Sequence, residues 1–188
     1  LCQKVNVDPR WCFIHATHVN SQEVESMAQS GVVVGLCPST EANLGDGLFP
    51  ATEYLALGGK FGIGSDSQVC SNPARELQLL EYGQRLKHHR RVLMMGADER
   101  HNGNALVQRA VAGGSQACGR SVTGLTSGAP ADLIELDPES PRLARRSADE
   151  ALDSWIFSAT DSNVRTVIAM GREVVTEGQH AGEAIAIE

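Results

Sequence analysis

Phe61 to Ser71 reads F-G-I-G-S-D-S-Q-V-C-S, a short apolar run bounded by glycines that ends abruptly on Asp66. Glycines inside a strand let neighbouring backbones approach, so the run is predicted to be a strand in a crowded α/β layer, with Ser65-Asp66-Ser67 at its carboxyl end. In parallel α/β folds that end carries the chemistry. The same triplet also suits a turn or the N-cap of a following helix. This stretch alone therefore leaves Asp66 open between catalysis and chain reversal.

Working outward, the flanking segments repeat one pattern. Trp11 to His15 (W-C-F-I-H) is a continuous apolar run that stops on a histidine, which predicts a strand buried on both faces with His15 at its carboxyl end. Asn20 to Glu23 (N-S-Q-E) has the spacing of a capping box, and Gly31 can close the helix that follows. Val32 to Cys37 (V-V-V-G-L-C) predicts a second buried strand, stopped by Pro38. Pro38 to Gly47 (P-S-T-E-A-N-L-G-D-G) is polar, glycine-punctuated and long for a plain connection, so it is predicted to be a functional loop. Within it Glu41, Asn43 and Asp46 are candidates to lie over a site, or else simply cap a tight turn. Pro50 opens a helix to about Leu57, ended by Gly58-Gly59. Asn72-Pro73 caps a long helix whose apolar stripe is expected at Leu77, Leu80 and Tyr82 to Leu86. The basic cluster Lys87 to Arg91 suits a solvated helix end facing the negative pole of the dipole. Alternation of strand and helix predicts parallel strands and an α/β fold.

Another helical pattern covers Gly103 to Cys118, and then the texture changes. Gly119 to Ala131 is rich in Gly, Ser and Thr. Beyond it come D-L-I-E-L at Asp132 to Leu136, an amphipathic helix near Glu150 to Ser158, and a β-hairpin of Val164 to Met170 with Glu173 to Glu177. A boundary near Arg120 divides residues 1–119 from a mostly β segment, 120–188.

Composition narrows the function. The 188 residues carry a net charge of −7 with interspersed signs, which argues against a nucleic-acid surface. No apolar run is long enough to span a bilayer, and no signal peptide is expected. Cys2, Cys12, Cys37, Cys70 and Cys118 lack the close pairing of a zinc ribbon or redox motif, so reduced thiols in a cytoplasmic protein are expected, with Cys12 and Cys37 as small core residues. The opening L-C-Q-K-V-N-V-D-P-R looks like mid-chain sequence. A histidine and an aspartate at the ends of different parallel strands can share one cavity, orienting water and taking up a proton. They do not complete a zinc site, because the chain has no H-x-H and no H-E-x-x-H. His18 lies three residues beyond His15 and would diverge from it at a strand end.

Four motifs, W-C-F-I-H-A-T-H, L-C-P-S-T-E-A-N-L-G-D-G, G-I-G-S-D-S and L-E-Y-G-Q-R-L, resemble in order and spacing the formimidoylglutamate deiminases, metal-dependent enzymes of the amidohydrolase superfamily. The resemblance extends through G-A-P-A-D-L-I-E-L and V-I-A-M-G-R-E-V-V. It implies the last three β/α units of a TIM-like barrel in residues 1–119 and part of the superfamily's small β domain in 120–188. Asp66 would match the metal-binding aspartate of strand eight and His15 the water-positioning histidine of strand six. The family's other metal ligands and its general acid have no match here. A barrel takes about 250 residues, so this chain is expected to be a C-terminal part.

The implied reaction is hydrolysis of N-formimidoyl-L-glutamate to N-formyl-L-glutamate and ammonia in histidine degradation. It would use one divalent metal, zinc by family habit, in a protein able to form a homodimer at full length and contacting neither nucleic acid nor membrane. Arginines should hold the substrate's carboxylates, with Arg10 and Arg75 as the local candidates. A guanine- or triazine-type deaminase would share His15 and Asp66, and a truncated chain without activity is the reading from another class.

Overall fold

The computed structural model describes residues 4–120, 124–158 and 163–183. Cys2, the first residues of the chain and part of the Gly/Ser/Thr-rich stretch after Gly119 lie outside the described residues. Three short strands, β1 (Cys12–Ile14), β2 (Val33–Leu36) and β3 (Lys60–Ile63), form a parallel sheet in the order β1-β2-β3. The central strand is the most apolar: Val33, Val34 and Leu36 are fully buried, as a strand covered on both faces requires.

β1 departs from the expectation of full burial. Trp11 is 39% exposed and Ile14 56% exposed, because β1 is an edge strand whose outer side has no neighbour in this layer. β3 is the other edge, and helix α5 (Asn102–Ala117) lies directly on it. A Cβ on Gly62 would come within 3.0 Å of Gly114 Cα, so the glycine of the G-I-G run is what lets helix and strand backbones meet.

The connections follow from local chemistry. Helix α1 (Ser21–Ser30) begins with the Asn20/Glu23 capping box and ends on Gly31 at φ 71°, burying Val24 and Met27. The predicted loop after β2 is instead a helix, α2 (Pro38–Leu44), with Pro38 in its first turn and Gly45 closing it at φ 71°. Proline ends a strand but pre-organises the first turn of a helix, and the polar residues that suggested a loop are its side chains. Helix α3 (Ala51–Ala56) follows and seats Tyr54, whose hydroxyl donates to the Val32 carbonyl at 2.6 Å.

Helix α4 (Pro73–His88) starts where Asn72 accepts from the amides of Ala74 and Arg75, and its last turn carries Arg85, Lys87 and His88 against the dipole. Its buried face differs from the predicted stripe. Leu77 and Leu80 are buried, but Tyr82 and Leu86 are exposed and Glu76, Glu81 and Gln84 are inside. Glu81 is satisfied by the amides of Leu93 and Met94 and by Arg85, and Gln84 donates to the Phe49 carbonyl. Arg85 in turn lies over the stacked rings of Tyr82 and Phe157.

The remaining elements are β4 (Leu133–Leu136), α6 (Ala148–Phe157), β5 (Val164–Ala169), β6 (Arg172–Thr176) and β7 (Gln179–His180), the strands forming an antiparallel sheet in the order β4-β5-β6-β7. The β5–β6 turn has Met170 and Gly171 both at positive φ, the geometry of a tight hairpin. Helix α6 packs on α4 and α5: Gln78 donates to the Ile156 carbonyl, and Asp153 accepts from His101 Nδ1 and the Gly103 amide. Cys37 is buried and Cys12 half-buried, and Cys12, Cys37, Cys70 and Cys118 are all free thiols. Among the described residues no helix is long and apolar enough to cross a membrane.

Candidate active site

Two strand ends and one helix converge at the carboxyl edge of the parallel sheet. The His15 amide extends the ladder by donating to the Gly35 carbonyl, and Gly64 does the same to Leu36 one strand further. Beyond these bonds both chains leave the sheet through left-handed residues, His15 at φ 63°, Ala16 at φ 51° and Asp66 at φ 51°. Non-glycine residues in that region are uncommon and gather where the surrounding structure holds a side chain in place for a purpose.

The side chains meet there. His15 Nε2 lies 3.8 Å from Asp66 Oδ2, and His15 Nδ1 lies 3.2 Å from Glu41 Oε1. The imidazole thus stands between two carboxylates of different character. Asp66 is 46% exposed and Glu41 only 5% exposed at their side chains. Glu41 Oε1 also accepts the Cys37 amide at 2.8 Å. Burial pushes the Glu41 carboxyl above its ordinary range, opposed by the Cys37 amide and by His15. The Cys37 thiol is pushed up to about 11 by burial first, then by the negative charges of Glu41, Asp66 and Glu76; it stays protonated at neutral pH and is no nucleophile.

Helix α2 fixes this cluster through three consecutive side chains. The Ser39 amide and hydroxyl both donate to buried Glu76 of α4. Thr40 Oγ1 donates to the Ser65 carbonyl at 2.7 Å, next to Asp66. Glu41 reaches His15. Of the residues predicted to overhang the site, Glu41 is therefore a buried support beneath His15. Asn43 is exposed on α2, and Asp46 lies just past its Gly45 cap with its amide donating to the Glu41 carbonyl at 3.0 Å; among the described residues neither side chain makes an ion pair or hydrogen bond to His15, Glu41 or Asp66. Arg10 is held by Asp8 before the amino end of β1, the opposite end from the site, and Arg75 is exposed in the first turn of α4. Glu76 was not singled out in the sequence, where an acid in a first helical turn reads as a solvated partner of the dipole.

As a metal site the cluster is partial. Asp66 has His15 as its one ionic partner among the described residues, so its half-exposed carboxylate suits a single cation ligand. Zinc takes three or four protein ligands, and the described residues gather no group of three or more His, Cys, Asp or Glu able to hold a metal. The donors present fit one corner of such a site.

Residues 5–174 match the Amidohydrolase family. The chain belongs to this family. Over 183 residues, 97% of the chain and 40% of the relative, it is 50% identical to formimidoylglutamate deiminase of Pseudomonas aeruginosa. The crystal structure of an amidohydrolase from Brucella melitensis superposes with a TM-score of 0.93 at 47% identity, covering 100% of this chain and 41% of that one. An adenosine deaminase from Xanthomonas campestris with bound zinc has a TM-score of 0.82 at 19% identity over 96% of this chain and 41% of its own, a likeness of fold. The amidohydrolase chain thus spans about 40% of the length of its relatives, and its mixed α/β fold corresponds to part of the amidohydrolase architecture, a partial TIM-like barrel with β strands following.

Proposed function

We propose that the protein is a formimidoylglutamate deiminase, converting N-formimidoyl-L-glutamate and water to N-formyl-L-glutamate and ammonia in histidine degradation. The observation that carries this reading is the 50% identity to the Pseudomonas enzyme sustained over 97% of the chain. The His15–Asp66 pair at the strand ends supplies chemistry of the right kind.

Asp66 is the proton acceptor and the one metal ligand proposed among the described residues. Asp66 would hold a divalent cation, zinc by the example of the adenosine deaminase neighbour, which when bound would lower the pKa of a water. His15 would hold the attacking water through Nε2, beside Asp66 and aligned with the formimidoyl carbon. The water oxygen bonds to that carbon, the carbon–nitrogen bond to the terminal nitrogen breaks, and both protons given up by the water, the first by way of Asp66, end on that nitrogen, which leaves as ammonia. Asn43 is the exposed polar group of α2 proposed to reach the substrate, and Asn43→Ala then raises KM. The same reading places the protein in the cytoplasm, with barrel units in residues 1–119 and small-domain strands in 120–188.

The test is ammonia release from formimidoylglutamate by the intact protein, lost on chelation and restored by zinc. The 188 residues alone are expected to be inactive, because their metal donors are too few. Turnover of an aminopurine or 5-methylthioadenosine in place of formimidoylglutamate would overturn the substrate. Zinc-dependent ammonia release by the 188 residues would show that the ligand count is wrong.

A further inference from the structure

We propose that Glu41 is the positioning residue of this site: through Oε1 it keeps the His15 proton on Nδ1 and turns Nε2 toward Asp66. The inference deepens the functional reading above and rests on it for its kinetic consequence, while its structural content stands on the geometry alone.

The chemistry of the pair leaves little freedom. An ionised carboxylate only accepts hydrogen bonds, so the nitrogen facing it must be the one that carries hydrogen. His15 Nδ1 is 3.2 Å from Glu41 Oε1, and a neutral imidazole then presents Nε2 as an unprotonated acceptor. That is the atom 3.8 Å from Asp66 Oδ2, where a water held between the two groups can give its proton in either direction. The opposite tautomer would aim a proton at the space the water needs and leave two acceptors facing each other at Nδ1.

Glu41 is itself immobilised. Its oxygen is pinned by the Cys37 amide at 2.8 Å, and the helix that carries it is anchored on one side by Ser39 on Glu76 and on the other by Thr40 on the Ser65 carbonyl. Glu41 is buried, its side chain 5% exposed. Burying a carboxylate is unfavourable unless it is well hydrogen-bonded, so a merely helix-capping role would be served as well by an uncharged or solvent-facing group. The same helix sets the carbonyl preceding Asp66, so the two reacting side chains share one support.

Glu41→Leu and Glu41→Gln in the intact protein separate positioning from capping. A single amide oxygen in Glu41→Gln can accept both the Cys37 amide and the His15 Nδ1 proton. Outer partners of this kind are worth about 10–100-fold in activity, so Glu41→Leu should lose that much kcat with KM little changed, and Glu41→Gln should recover most of it. Nitrogen NMR of histidine-labelled protein, with the His15 signals assigned by their loss in His15→Gln, reads the tautomer without substrate. The proton is expected on Nδ1 in the wild type and in Glu41→Gln, and on Nε2 to a large extent in Glu41→Leu. A wild-type proton on Nε2, a Glu41→Leu enzyme with unchanged kcat, or a Glu41→Gln enzyme as impaired as Glu41→Leu would each overturn the proposal. If the wild type does not turn over formimidoylglutamate while the tautomer still depends on Glu41, the functional reading fails and the positioning role stands.

Discussion

Gly113 and Gly114 are neighbours in the interior of α5, and replacing each by alanine should move stability in opposite directions. A Cβ on Gly113 would sit 1.9 Å from the Phe61 carbonyl oxygen and 2.5 Å from its carbon, whereas a Cβ on Gly114 would meet nothing within 4 Å. An ordinary carbon–oxygen contact is about 3.3–3.6 Å, so the Gly113 methyl is short by roughly 1.5 Å, and the obstacle is backbone in a strand that cannot rotate away. Helix α5 must lift off β3 or β3 must shift, and overpacking of this kind costs about 1–3 kcal/mol, occasionally more. Against this, alanine gains about 0.8–1 kcal/mol over glycine in a helix interior, which leaves a net loss for Gly113→Ala of up to about 2 kcal/mol, more if the overpacking exceeds its usual cost. Gly114→Ala keeps the helical gain unopposed and should be neutral or stabilising. Denaturant midpoints of the intact protein measure both. Because β3 leads directly to Asp66, Gly113→Ala should also lower kcat in ammonia release. Equal midpoints for the two variants would refute the close packing of α5 on the G-I-G strand.

Two further substitutions test other contacts. His101 is held above its ordinary pKa by its hydrogen bond to Asp153, so the pair's stabilisation is fully present below the unfolded histidine pKa, about 6.5, and is lost as pH rises through the raised folded value. Asp153→Asn keeps an acceptor for the Gly103 amide but removes the charge; its midpoint should fall below wild type at acid pH and converge with it toward alkaline pH, and a constant offset across that range would show that the ion pair is not responsible. Tyr54→Phe removes the donor to the buried Val32 carbonyl and should cost about 1–3 kcal/mol, read as a lower denaturant midpoint with an unchanged slope.

The strands and caps were legible in the sequence because their signals are local. The Asn20/Glu23 box, Asn72-Pro73, Gly31 and the Met170-Gly171 turn each act within a few residues, and β-branched Val32 to Val34 needed only burial to become the central strand. Burial of W-C-F-I-H was overestimated because an apolar run shows that a strand can be covered on both sides, while coverage depends on neighbours. The segment after β2 was misread as a loop for a related reason. Proline and three polar residues in succession match a turn in composition, and only the contacts of Ser39, Thr40 and Glu41 with three other elements show why a helix of seven residues is stable there.

The site divides along the same line. His15 and Asp66 were legible because each ends an apolar run, a pattern that places polar atoms at the edge of a parallel sheet. The carboxylates that hold the site together have no such signature. Glu76, which braces the site through Ser39, and Glu81 and Gln84 further along occupy positions i, i+5 and i+8 of α4, interleaved with Leu77 and Leu80, so that face is apolar and polar at once and a hydrophobicity pattern assigns such residues to solvent. Their burial is tolerable only because distant groups arrive: the Ser39 amide from 37 residues away and the amides of Leu93 and Met94 from 12 and 13. Glu41 follows the same logic, with His15 lying 26 residues upstream. A buried acid in this chain is therefore a statement about tertiary partners: Glu41 and Glu81 sit inside the long motifs L-C-P-S-T-E-A-N-L-G-D-G and L-E-Y-G-Q-R-L, where the resemblance is strong, while Glu76 lies in neither, and for all three the physical reason is supplied by the fold.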